Sequence, residues 1–248
     1  MSYLIKIDPD KITADNNNVF LGLSLIRNDL SDLVYLQGLH ANENKKLDLK
    51  DKEVSAIAGQ AVGRNIYIFR LALSLLYSSL EFFYTRRKQI SSSDELKIIL
   101  LSLPNPEKET WKSFLKMANI LLTIKKINEI DEDTFLNNKN KRILKLCYVA
   151  RNNITYHYHG AVKHLKDGYL IAYSKRDSEN SSFAFATDKN SINEDRSYYI
   201  DLSIQKYLEN KVGSHDLLKD NQDDFLKIIA DLNAVISSIL TKYHANKA

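Results

Sequence analysis

Cysteine is almost missing from this chain. Cys147 is the single thiol in 248 residues, so no disulfide can form within the chain and no multi-cysteine metal site can be assembled. A reducing, cytoplasmic setting is expected. Proline and glycine are also scarce, at 3 and 7 residues, which removes the usual interruptions and favours long helices. A large excess of charge is lacking too: a formal +4 permits a polyanionic partner without demanding one. The opening MSYLIKIDPD has neither the basic region nor the apolar run of a secretory signal, so secretion is not expected. The most apolar window, 66–83, is about as long as a bilayer span. Arg70, Glu81 and three serines interrupt it, so it is expected as a buried core helix, with no membrane partner.

What is present is ordinary for a soluble globular chain, with 44% hydrophobic and 27% charged residues, and long enough to bury a substantial core. One domain over 1–248 is expected. Leu23, Ile26, Leu30, Leu33 and Val34, with Leu36 beside them, give an amphipathic helix from Phe20 to about Leu39. A second, longer helix is expected from about Asp51 to Arg87. Within it Gly59 and Gly63 mark either a close helix approach or a local kink. Ser93 and Asp94 begin a shorter helix through Leu103; Asn105 then caps the next, with Pro106 at its first position, and Trp111, Phe114, Leu115 and Ile120 on its apolar side.

The stretch 139–160, KNKRILKLCYVARNNITYHYHG, organises the chain. Ile143, Leu144, Leu146, Cys147, Ala150, Ile154 and Tyr158 recur at helical intervals, and Gly160 is expected to end that helix. Arg151, Asn152 and His157 would then lie in its last turns. Farther on, the alternation in GYLIAYS (168–174) and SFAFAT (182–187), around a polar tip, predicts a β-hairpin, with a third strand or arm including Tyr198, Tyr199 and Ile200. A hairpin needs support from the helices or a second subunit. A last helix from about His215 to Tyr243 carries Phe225, Ile228, Ile229, Leu232, Val235, Ile236, Ile239 and Leu240 in one stripe, suited to a bundle or a dimer seam.

The order Arg151, Asn152, four further residues, His157 resembles the Rx4–6H motif of the HEPN superfamily, all-helical domains of which many are metal-independent ribonucleases. The resemblance implies a mainly α fold, an antiparallel helical bundle over 19–160. The hairpin or arm at 167–200 departs from that pattern, and the helix at 215–244 would pack on the bundle. It also implies an endoribonuclease with Arg151, His157 and Asn152 as catalytic residues, His159 and Tyr156 as accessories, and no metal or cofactor. RNA is the implied substrate, cut by attack of its own 2′-hydroxyl. A homodimer with paired motifs would form the composite cleft, an antitoxin or regulatory protein is a further partner, and phage defence or toxin action is the implied role.

The residues suit that chemistry. A histidine near neutrality can give or take a proton, and a helix C-terminus favours its cationic form. An arginine is always charged, and its planar fork matches two phosphate oxygens. In an α-helix six residues amount to about 240° of rotation and roughly 9 Å of rise, so one helix does not complete the site, whereas a two-fold dimer doubles its inventory. Asn152 would orient the histidine or hold the phosphate.

Lys141, Arg142 and Lys163 are candidate RNA-binding residues, as are the basic groups at 86–88, 163–166 and 175–176; each is also compatible with plain solvated surface. Tyr156 and Tyr158 could stack on bases or pack in a core.

Alternatives remain at the motif itself. The structural one has Arg151 held in an ion pair and His157 as a helix C-cap residue, and the functional one is a non-catalytic helical module binding a partner protein or nucleotide. His157 and His159 spell HxH, with His164 near, which can begin a metal site. Cys147 shares an apolar helix face, so an inert thiol is expected there rather than a nucleophile.

Overall fold

A computed structural model describes residues 19–45, 54–126, 139–155, 158–174, 198–213 and 217–247. The described residues are helical almost throughout, with no β-strand among them. In chain order the helices are α1 (Val19–Lys45), α2 (Val54–Thr85), α3 (Arg87–Ser92), α4 (Asp94–Ser102), α5 (Asn105–Lys126) and α6 (Lys139–Val149). A π-helical segment, Ala150–Thr155, continues α6; then come α7 (Tyr158–Ser174), α8 (Tyr198–Val212) and α9 (Leu217–Lys247). The mainly α expectation holds.

The predicted hairpin does not. Residues 168–174 lie inside α7 and 198–200 open α8, while 182–187 fall outside the described residues. The reason is in the buried positions of α7. Ala161, Gly168 and Ala172 form its inward side, a helical stripe of residues too small to register as hydrophobic. The bulky Tyr169, Leu170, Ile171 and Tyr173 beside them imitate a strand pattern. Gly160, expected to end the motif helix, likewise sits within α7.

The chain divides into two compact units. Unit 1 comprises Met1–Asp32, Ser78–Ile130 and Leu226–Ala248; unit 2 comprises Leu33–Tyr77 and Asp131–Phe225. Helices α1, α2 and α9 contribute residues to both.

Unit 1 has a core of aromatic pairs and long aliphatic side chains. Phe20 stacks on Tyr243 with centroids 3.8 Å apart, and Phe83 meets Trp111 edge to face at 5.1 Å, the arrangements that ring quadrupoles favour. Leu96, Ile99, Leu121, Val235, Ile236, Ile239 and Leu240 fill the space between. The α9 stripe is therefore spent inside this chain from Phe225 onward. Its polar contacts tie distant segments: Arg27 Nε donates to Ser237 Oγ at 3.1 Å, and Ser238 Oγ donates to Glu107 Oε1 at 3.1 Å. The start of α4 is as the sequence predicts, with Ser93 Oγ accepting from the Leu96 amide at 3.3 Å. The short α3, between the expected helices, follows because Arg86 makes a turn rather than an end.

Unit 2 packs differently. A Cβ on Gly168 would overlap the backbone carbonyl of Ser203 and crowd Tyr207, so the absent side chain lets α7 and α8 approach backbone to backbone. Ile66, Phe69, Leu73, Leu76, Ile143, Leu144, Leu146, Cys147, Tyr207, Leu208 and Phe225 complete its core. The stretch Gly63–Thr85 is long and apolar enough to cross a membrane by length and composition. In this fold Ile66, Phe69, Ala72, Leu73, Leu76 and Leu80 are each buried, as in the core helix expected from the sequence.

Candidate functional site

The motif lies in unit 2, at the point where regular helix gives out. Residues 139–149 are α-helical and Ala150–Thr155 are π-helical, so hydrogen bonds change there from i→i+4 to i→i+5 and the turns widen. Arg151 and Asn152 thus sit in the π-helical segment that continues α6, and the rotation of an α-helix does not apply between them and later residues. His157 and Tyr156 lie outside the described residues. His159 is the second residue of α7.

Asn152 shows how the sequence tolerates this turn. Its side-chain Nδ2 donates to the Tyr148 carbonyl at 2.9 Å, the oxygen that its own N–H would serve in an α-helix. The side chain therefore supplies a donor where the backbone register changes, and this amide nitrogen supports the turn rather than a substrate. The Tyr148 ring lies 6.4 Å from Tyr77 at 48°, which holds that end of α6 against α2. Arg151 is half-buried with its Nε inside the fold, so its charge is fixed at the root and not carried on a free surface arm.

Helix α8 adds polar groups that the sequence reading missed. It packs on both α7 and α6, and the π-helical segment touches the same two helices. On α8, Ser203, Lys206 and Glu209 are buried. Lys206 Nζ lies 3.0 Å from Glu209 Oε2, and Gln205 Nε2 donates to Glu209 Oε1 at 2.7 Å. An ion pair taken out of water is costly unless its remaining hydrogen bonds are met, and Gln205 meets one. The available signal was a Lys and a Glu three apart among Ile204, Tyr207, Leu208 and Val212. Without a helix expected there, that spacing had no meaning.

Near the same helices, His164 packs on the Tyr207 ring with centroids 4.9 Å apart. Burial pushes its pKa below the ordinary histidine value; Asp167 opposes this, while Lys163 and Lys211 add to it. Cys147 is fully buried and its thiol is pushed far upward by desolvation, so it is inert as a nucleophile. Among the described residues no group of three or more His, Cys, Asp or Glu is placed to hold a metal.

The basic candidates fall in both units. Lys163 and Lys166 are exposed on α7 in unit 2, and Lys141 and Arg142 belong to α6, in the same unit. Residues 86–88 belong to unit 1, and 175–176 fall outside the described residues. Compared with known proteins, the chain matches no family model, no curated protein sequence and no solved structure.

Proposed function

We propose that the chain is a metal-independent endoribonuclease of HEPN type, working as a cytoplasmic homodimer in which Arg151 and His157 from two copies line one cleft. What supports this reading most is the position of Arg151. It sits in a π-helical turn, a conformation that often accompanies functional sites, with its stem embedded and its neighbour Asn152 securing the backbone. In the proposed reaction His157 transfers the proton and Arg151 stabilises the charge developing on the phosphate oxygens. The second copy supplies the complementary acid or base. Toxin action or phage defence is the proposed setting, and RNA the substrate.

The experiment is a single-turnover assay on structured and unstructured RNA, with and without EDTA. Cleavage is expected to survive chelation and to leave 2′,3′-cyclic phosphate ends. Arg151→Ala and His157→Ala should each reduce the rate by roughly 10²–10⁴-fold in protein that still melts cooperatively, and His159→Ala by less. Rescue of a chelated enzyme by zinc would shift the assignment to the HxH pair. If all three variants cleave like the parent, or none of the proteins cleaves, the fold serves as a binding module. Light scattering on a sizing column checks the dimer, and a strict monomer at micromolar concentration removes the paired-motif mechanism.

A further inference from the structure

We infer that the exposed side of α7 is a platform for single-stranded nucleic acid, with Tyr169 and Tyr173 stacking on bases and Lys163, Lys166 and Lys211 meeting the phosphates. The inference rests on the ribonuclease reading for its substrate class, but its geometry is separate from Arg151. Tyr169 and Tyr173 are one helical turn apart, their ring centroids 6.4 Å from each other and their planes only 16° from parallel. Two parallel rings on one ridge offer successive flat faces, which is what sequence-tolerant base stacking requires. Tyr169 is half-buried and Tyr173 48% exposed, with Val162 and Leu170 more exposed beside them.

Charge selects the occupant. Lys163 and Lys166 are exposed on this helix, whose one acidic residue is Asp167. From α8, Lys211 brings its ammonium to 5.7 Å from the Tyr207 ring centroid. It bears on His164 together with Lys163, so cations from two helices gather on the His164 side of α7. Lys166 falls between Val162 and Tyr169 along the same side. A docking apolar helix would have to bury that ammonium, at a cost; a phosphate strand would neutralise it. A duplex has its bases already stacked and out of reach, so the strand is single.

The test uses fluorescence anisotropy with a 2′-O-methyl oligonucleotide of about twelve residues, which cannot be cut by 2′-hydroxyl attack and so reports binding apart from cleavage. The Tyr169→Ala/Tyr173→Ala double variant should lose roughly 30-fold or more in affinity, and the Tyr169→Phe/Tyr173→Phe variant, which keeps the rings, should bind as the parent does. Lys163→Gln/Lys166→Gln should lower the slope of affinity against salt. A double-stranded competitor should displace the strand poorly. The inference is overturned if the alanine variant binds normally, if duplex competes as well as single strand, or if the strand does not bind while a protein partner does and loses affinity with the alanine variant. Binding that follows the tyrosines while native RNA stays uncut would remove the ribonuclease reading and leave the platform standing.

Discussion

The two units solve the burial problem with different materials. Unit 1 is filled by large rings and branched aliphatic side chains, Phe20 on Tyr243 and Phe83 on Trp111 among them, and its ion pair between Lys247 and Glu95 stays partly in solvent. Unit 2 brings helices together through Gly168, Ala161 and Ala172 and buries the Lys206–Glu209 pair. It also contains the π-helical turn. The first arrangement yields cohesion from area removed from water. The second adds to an apolar core of its own, Phe69 edge to face with Phe225 included, a buried ion pair and a π-helical stretch of backbone.

The sharpest contrast is between the two ion pairs, which are alike in composition and unlike in surroundings. Glu209→Gln leaves the Lys206 ammonium without its counter-charge inside the fold and should destabilise by about 3–5 kcal/mol. Replacing both partners with apolar residues of similar size should recover much of that loss. Glu95→Gln, with its pair 20–32% exposed, should cost under about 1 kcal/mol. Urea unfolding measures all three, and equal losses at the two sites would erase the distinction between the units.

The glycines offer a second comparison. A Cβ at Gly168 meets the Ser203 carbonyl, which cannot move without shifting α8, whereas one at Gly22 meets the edge of the half-buried Phe82 ring. Gly168→Ala should therefore cost about 1–3 kcal/mol as an overpacked contact, and Gly22→Ala less, because the ring can turn aside. Denaturation midpoints of the two variants, compared side by side, decide it; a larger loss at Gly22 would mean that unit 1 is the tighter one.

The smallest expected effect is shared. Burial lowers the pKa of His164 in unit 2 and of His244 in unit 1, the latter helped by Arg27. Each imidazole binds its proton more weakly folded than unfolded. Stability should then fall as pH drops below the ordinary value of 6.5 and toward the lower folded pKa. His164→Asn and His244→Asn should each flatten that slope in melts run across mildly acidic pH. A steeper slope in either variant would contradict the direction of the shift.

Local information was enough for several elements. Ser93 reads as a cap from its place before Asp94 and Glu95, and its hydroxyl accepts the Leu96 amide. The α9 stripe reads from its period, and Phe225, Leu232, Ile236 and Ile239 are buried as expected. The π-helical turn was not readable: Asn152, Asn153, Ile154 and Thr155 are weak helix formers, but weak propensity does not specify a π turn, and the Asn152 amide finds the Tyr148 carbonyl only once the turn has formed.

The sequence by itself determined that the chain is mainly helical, because scarce glycine and proline and a repeated three-to-four-residue apolar period leave few other ways to bury its hydrophobic side chains. Only the tertiary structure decided that 168–174 is helix, since Gly168 gains its value from the Ser203 backbone pressed against it. The same holds for Lys206 and Glu209. A lysine and a carboxylate three apart are written the same way in α4, where Lys97 and Asp94 pair in solvent, and in α8, where the pair is buried. Which of the two a spacing becomes depends on the helices that pack over it, and that is a property of the whole fold rather than of the local chain.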